Sequence, residues 1–333
     1  NMKKQFGIFV LAAVLMTGTV KAETPEGWLT SLKEWVSGAE NTVTIKPSNK
    51  YLTERKKTGN IVTVEAHSGL DVVYTQQSGD AFVEVYAPDN LMPYIVVQKN
   101  GDLLRVSLKP GCRITGKHNT EIRVFAPEVT SFAASSSADI YLAKGLSTKK
   151  GVSLKASSSG DVVANGNLTC GSLSLKASSS GDVKLKGIAC AGAEVGASSS
   201  GDIEITSITC SDFSAAASSS GDIEVGNMVC AGNVSCAASS SGDVVVGEAN
   251  CKGKVSADVS SAGGVKFEKG NAKDASYQAS SGAQINAEGL HALNVVARAS
   301  SGGSVSCYAS ETISMHRSSG GSIHCEGRPR LID

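Results

Sequence analysis

The sequence predicts an all-β fold, a single-stranded parallel β-helix (solenoid) of about 20 residues per coil, with a short helix before it. Three observations predict it. The first is a period. Ala-Ser-Ser-Ser-Gly-Asp-Val stands at 156–162, 177–183 and 238–244, and with Ile last at 197–203 and 217–223. An earlier copy at 134–140 has Ala138 for the Gly, and degenerate copies begin at Ser260, Ser280, Ser300 and Ser318. The aspartate-equivalent positions run from 139 to 322 in steps of 18 to 22 residues, the regularity of coils that contact only their neighbours. The second is alternation. Leu173, Leu175, Ala177, Ser179, Gly181, Val183 and Leu185 alternate with Ser174, Lys176, Ser178, Ser180, Asp182 and Lys184, which puts the first set inside and the second outside. The third is composition. Aromatic residues are only 5% of the chain, poor material for a thick globular core but enough for a narrow one of Val, Ile, Leu, Ala and Ser.

In chain order, residues 1–22 read as a signal peptide. Lys3 and Lys4 open it, Ile8–Met16 is a short apolar run, and Val20-Lys21-Ala22 offers small residues before a cut after Ala22. The run falls short of the ~20 residues that a membrane span needs, so no transmembrane span is expected after signal removal. Cleavage takes Lys3, Lys4 and Lys21 from 31 basic residues and none from 31 acidic ones, leaving 28 against 31. No basic block survives, so nucleic acid is not an expected partner.

Residues 23–44 predict a short amphipathic helix and linker. Thr24 would be the N-cap, with Pro25 and Glu26 in the first turn. Trp28, Leu29, Leu32, Trp35 and Val36 share one face, and Gly38 can end it. Residues 45–333 read as one β-helix domain, with irregular coils over 45–130 and the regular repeat over 131–327. In the irregular part, strands are expected at 61–64, 72–74, 81–86, 94–98, 103–108 and 121–126. Turns fall at 77–80, 88–90 and 99–102, and 112–119 is a polar, basic loop. In the repeat, each Ser-Gly-Asp corner is followed by a turn, often with Gly, and a short Cys-bearing strand such as Met228-Val229-Cys230. The ends of the stack need caps; the N-terminal helix region and the Arg328–Asp333 tail are the candidates.

Ser68-Gly69-Leu70-Asp71-Val72-Val73-Tyr74-Thr75-Gln76, Ala81-Phe82-Val83-Glu84-Val85 and Ala87-Pro88-Asp89-Asn90-Leu91-Met92-Pro93-Tyr94 carry a resemblance. They resemble the head GIN domain family, labelled "putative auto-transporter adhesin" and found mainly in secreted proteins of Bacteroidetes. Residues 101–106 and 122–129, the Ser-Gly-Asp coils and Gly327-Arg328-Pro329 continue the likeness, which covers about residues 45–333. The resemblance implies a right-handed single-stranded parallel β-helix, a cell-envelope or extracellular location, and no established enzymatic activity.

The outward positions of the corners form the candidate functional ladder: Ser157, Ser159, Asp161, Ser178, Ser180, Asp182, Ser198, Ser200, Asp202, Ser218, Ser220, Asp222, Ser239, Ser241 and Asp243. The Asp column reads as a solvated corner, since carboxylates one strand spacing apart repel by only about 1 kcal/mol in bulk water. Calcium bridging is the alternative, but one Asp per coil supplies few of the oxygens that ion wants. The middle serines, Ser158, Ser179, Ser199, Ser219 and Ser240, fall inward by alternation and would need hydrogen-bond partners.

Cys170, Cys190, Cys210, Cys230 and Cys251 follow the period and read as a packing column with one or two inter-coil bridges. Cys307 and Cys325 are the favoured disulfide pair. No Cys-x-x-Cys occurs, so zinc is not expected. His67, His118, His291, His316 and His324 sit in no Ser/His/Asp spacing. No catalytic residue, cofactor or metal site is therefore assigned.

The function expected is that of a non-catalytic secreted or cell-envelope structural and adhesion module, located in the periplasm, on the outer-membrane surface or outside the cell. It would present the Ser/Asp face for weak polyvalent binding, with a glycan or another envelope or surface component as partner. The alternative is a carbohydrate-active enzyme, a polysaccharide lyase or hydrolase on the same fold.

Overall fold

The structure, a computed structural model, describes residues 42–332. The expected signal peptide and the helix at 24–38 lie outside the described residues. The chain is a β-solenoid of about ten turns with coils of about 20 residues. Adjacent coils pair in parallel, residue on like residue: Ala134 on Ala156, Ala177, Ala197, Ala217 and Ala238 in succession. Beyond the corner, Val162 stacks on Val183, Ile203, Ile223 and Val244. At a rise of about 4.8 Å per coil the stack is roughly 50 Å long. The core is the narrow interior of this stack. One coil buries Phe213, Ala215, Ala217, Ile223, Val225, Met228 and Cys230. Each full-sized side chain so buried is worth roughly 1.5–3 kcal/mol, and the small ones fill the tight corner.

The corner departs from the alternation at one residue. Ala177 and Gly181 are buried as expected, but Ser179 is exposed, as are Ser158, Ser199, Ser219 and Ser240. The middle-serine column is therefore outside, and the inward assignment is corrected. The reason is backbone conformation. Ser179 and Ser180 both have positive φ, 52° and 61°, and the Gly181 N–H donates to the Ser178 carbonyl at 3.0 Å. Positive φ at both central residues of such a turn is the type I′ pattern. It turns the chain without sending a side chain inward. The same pair recurs at 158–159, 199–200, 219–220 and 240–241. The turns also stack: the Ser180 N–H donates to the Ser199 carbonyl and that of Ser200 to Ser219, both at 3.3 Å. The glycine after the pair is needed for space. A Cβ on Gly221 would lie 2.5 Å from the Ser198 nitrogen of the coil before.

The first part of the chain is coiled in a different order from its sequence. Thr63–Ala66 and Val72–Gln76 flank a corner at 67–71 and form a regular coil. This coil lies between Ser131–Ala134 with Ile140–Leu142 on one side and Leu103–Leu108 with Glu121–Ala126 on the other. Residues 103–126 thus stack outside a coil that precedes them in sequence. The chain then returns past that coil through 127–130. The Tyr74 hydroxyl holds the crossing, donating to the Ala126 carbonyl at 3.1 Å and accepting from the Val129 N–H at 3.3 Å.

The end of the stack is closed by antiparallel strands. Ile95–Asn100 pairs with Leu103–Leu108, Phe82–Pro88 with Glu121–Ala126, and Tyr51–Lys57 with Phe82–Pro88. Cys112–Ile114, read from sequence as part of a loop, is a short strand paired with Val43–Ile45. At the other end Arg330–Leu331 pairs with Thr312 and Ile313 of the last long strand, so part of the expected tail cap lies on the final coil. No helix among the described residues is long and apolar enough to cross a membrane.

Candidate functional site

The corners form one continuous edge along the solenoid. On it the third serine of each motif (Ser159, Ser180, Ser200, Ser220, Ser241) is exposed beside the exposed middle serine. The first serine of each (Ser157, Ser178, Ser198, Ser218, Ser239) is half-buried. Asp161 and Asp182 are half-buried and Asp202, Asp222 and Asp243 exposed. None of the fifteen ladder residues is buried, and each motif contributes two adjacent exposed hydroxyls.

The aspartates hold the edge in register. Each carboxylate accepts the backbone N–H of the aspartate on the next coil. The bonds run Asp139 to Asp71, Asp161 to Asp139, Asp182 to Asp161, Asp202 to Asp182, Asp222 to Asp202 and Asp243 to Asp222, at 2.9–3.1 Å. In the degenerate coils that lack Asp, the equivalent N–H finds a main-chain acceptor, as Gln284 on Gly263 and Ser304 on Ala283. In the regular coils the side chain thus takes the place that a main-chain carbonyl fills there. The column begins at Asp71, in the part of the chain that looked irregular. Loss of water on packing, together with the charges of Asp139 and Asp161, pushes the Asp71 carboxyl up to about 6. Asp161 is raised by the same two causes, Asp182 joining Asp139 as a charged neighbour. Tyr141 donates to Asp139 Oδ2 at 3.0 Å, and Lys184 pairs with Asp182 at 3.1 Å.

The swapped coil order also assembles a network that the sequence hid. Ser135 Oγ and His67 Nδ1 share a hydrogen bond of 2.6 Å, and His67 Nε2 lies 3.3 Å from Glu65 Oε2. Serine, imidazole and carboxylate in that order are the parts of an activated nucleophile. Two features set this group apart from a working one. Glu65 is also held by Arg105, at 2.8 and 2.9 Å. The N–H groups of Ser135, Ser137 and Ala138 already donate to Ala66, Ser158 and Ser135 carbonyls, and an oxyanion needs such donors free.

Among the described residues, Glu288, His324 and Glu326 bring three metal-ligating atoms within 4.8 Å of one another on the last coils. A shallow groove of about 740 Å³ also crosses the arms that precede the corners, lined by Ser131, Ser153, Ser174, Glu194, Ser214 and Ser235 among others. All nine cysteines are free thiols in this structure. Cys307 and Cys325 are register partners, as their spacing required.

The architecture and the edge together define a class: a parallel β-solenoid presenting one repeated polar corner. The chain belongs to the family described as "Putative auto-transporter adhesin, head GIN domain", which matches residues 62–266 and 223–329. Its fold is similar to that of a putative adhesin from Bacteroides fragilis NCTC 9343, with a TM-score of 0.53 and 23% identity over 69% of this chain and 99% of that one. A putative adhesin from Parabacteroides distasonis ATCC 8503 has a TM-score of 0.37 and 17% identity, over 87% of this chain and 95% of that one. A putative lipid binding protein from the same strain has a TM-score of 0.34 and 16% identity, over 87% and 95%. No curated protein matches the chain.

Proposed function

We propose that this protein is a non-catalytic adhesion module, exported to the envelope or cell surface, that binds a repetitive polymer weakly at many points along its corner edge. The observation that carries the reading is the repetition of exposed serine pairs at the coil spacing from Ser158 to Ser241, on a backbone locked by the Asp column. Hydroxyl pairs at about 4.8 Å intervals suit a ligand that itself repeats polar groups, and a glycan of the envelope or of a surface is the partner class. Each contact is weak because water competes for every hydroxyl. Linkage of many contacts in one rigid body raises the effective concentration of the next. Family membership supports a surface role.

The test is a glycan array read together with reducing-sugar release from the polysaccharides bound. The expected result is retention without turnover. Replacing the serine pairs 179–180, 199–200 and 219–220 with Asn-Gly, which favours the same type I′ turn, should preserve the circular dichroism spectrum and remove retention. Release of sugar would overturn the reading in favour of a carbohydrate-active enzyme. Covalent labelling of Ser135 by a fluorophosphonate would overturn it in favour of a serine hydrolase built on the His67 network.

A further inference from the structure

We propose that Cys307 and Cys325 form a disulfide that staples the last strand to the solenoid, made by exchange with an external disulfide that enters at Cys325. The two residues are register partners in the parallel pair of Ser304–Arg317 with Ser322–Gly327. Neighbouring strands about 4.8 Å apart fall inside the roughly 4.4–6.8 Å between Cα atoms that a disulfide spans, so closure needs little backbone movement. Position alone sets the partner. On its other side Cys307 is in register with Ala287, and Ser322–Gly327 pairs with no other strand among the described residues. In the longer cysteine column, by contrast, Cys230 has a cysteine in register on either side, Cys210 and Cys251.

Side-chain geometry agrees with the register. Cys307 is fully buried, and its thiol donates to the His324 carbonyl at 3.7 Å. That carbonyl belongs to the residue before Cys325, so the buried sulfur leans towards the last strand. Along that strand Ile323 is buried and Cys325 half-buried, between exposed Ser322, His324 and Glu326. By alternation Cys325 therefore faces the interior, on the side of Cys307. Its thiol donates to the Glu326 carbonyl at 3.2 Å, a bond that the disulfide replaces. Burial also sets the order of events. Cys325, partly open at the end of the stack, meets the external reagent, and Cys307 follows from inside. The staple acts where the stack is weakest. A strand paired on one side only opens more readily than strands held on both, and beyond it Arg330–Leu331 reaches only Thr312 and Ile313.

The step balances as two exchanges. The Cys325 thiolate attacks one sulfur of an external disulfide and expels its other half as a thiolate. Cys307 then loses its proton and attacks the Cys325 sulfur of the mixed disulfide, expelling the second half. The two expelled thiolates take up the two protons. Two protein thiols are oxidised, one external disulfide is reduced to two thiols, and the last two coils are covalently joined.

The test is to treat the folded full-length protein with oxidised glutathione, alkylate the remaining thiols and map tryptic peptides by mass spectrometry. Cleavage after Arg317 puts Cys307 and Cys325 on separate peptides. The expected product has both residues unalkylated and their peptides joined. Amide exchange over Ser322–Gly327 should be slower by roughly tenfold or more in the oxidised protein than in the reduced one. Cys307→Ser should trap glutathione on Cys325, and Cys325→Ser should leave Cys307 unmodified, both with a wild-type circular dichroism spectrum. Mapping of the wild type stands on its own if a variant fails to fold. Alkylated thiols at 307 and 325 after oxidation, a stable glutathione adduct on wild-type Cys325, a bridge from either residue to another cysteine, or a joined pair with unchanged exchange in the last strand would each overturn the proposal.

Discussion

Serine is a poor resident of left-handed backbone space, where an L-residue gives up about 1–2 kcal/mol. Even so, pairs of serines hold φ near 50° and 60° in coil after coil. The stack compensates, because each turn bonds to its twin above and below and the glycine that follows lets the coils approach. Gly221→Ala should therefore cost about 1–3 kcal/mol by overpacking, since its Cβ meets main-chain atoms at 2.5–2.8 Å; urea unfolding would measure it. Asp71, at the head of the Asp column, makes a pH-dependent contribution to stability. Its folded carboxyl titrates near 6, above the ordinary value of 3.8. The folded state therefore binds this proton more tightly than the unfolded chain does, and stability rises as pH falls through 6 towards 4. Asp71→Asn keeps an oxygen for the Asp139 N–H and removes the charge. The variant should melt higher than wild type at pH 7, and the gap should narrow as pH falls through 6 and close only near pH 4. An equal gap at both values would show that the carboxyl is not under this strain.

At the scale of the element, the cap covers one end of an open stack. The strand edges of the first coil are covered by antiparallel strands, ending at Tyr51–Lys57. The outer edge of that strand has no partner among the described residues, and it carries Arg55, Lys56 and Lys57. Charged edges discourage pairing with another chain. Replacing all three by threonine should leave the solenoid intact and shift the protein to oligomers in light scattering.

The same elements show how far sequence reading reaches. The coils, their inward Leu, Val and Ala and the corner glycine were legible because stacking forces a period and alternation forces a face. The six strands expected over 61–126 are present within a few residues of their expected ends. Their order was not legible, since a strand looks the same whether its partner is parallel or antiparallel. Ser135, His67 and Glu65 meet only because residues 103–126 stack outside 63–76, and no local pattern announces that. The outward middle serine was missed because alternation assumes extended backbone, and nothing in Ser-Ser-Ser resembles the Asn-Gly usual at such turns.

Across the whole molecule, one edge repeats the same chemistry over much of its length. A repeat architecture contacts its neighbours only, so altering one coil's exposed pair should leave the others in place. This separates polyvalent binding from binding at a single site. The most direct measurement is retention on the glycan that binds best, for a series in which serine pairs are changed to Asn-Gly in one coil, then two, then all five from 158–159 to 240–241. The account expects a graded fall in avidity with each coil altered, whichever coil is changed first. Loss of binding on changing one particular coil, or full retention with all five changed, would contradict it.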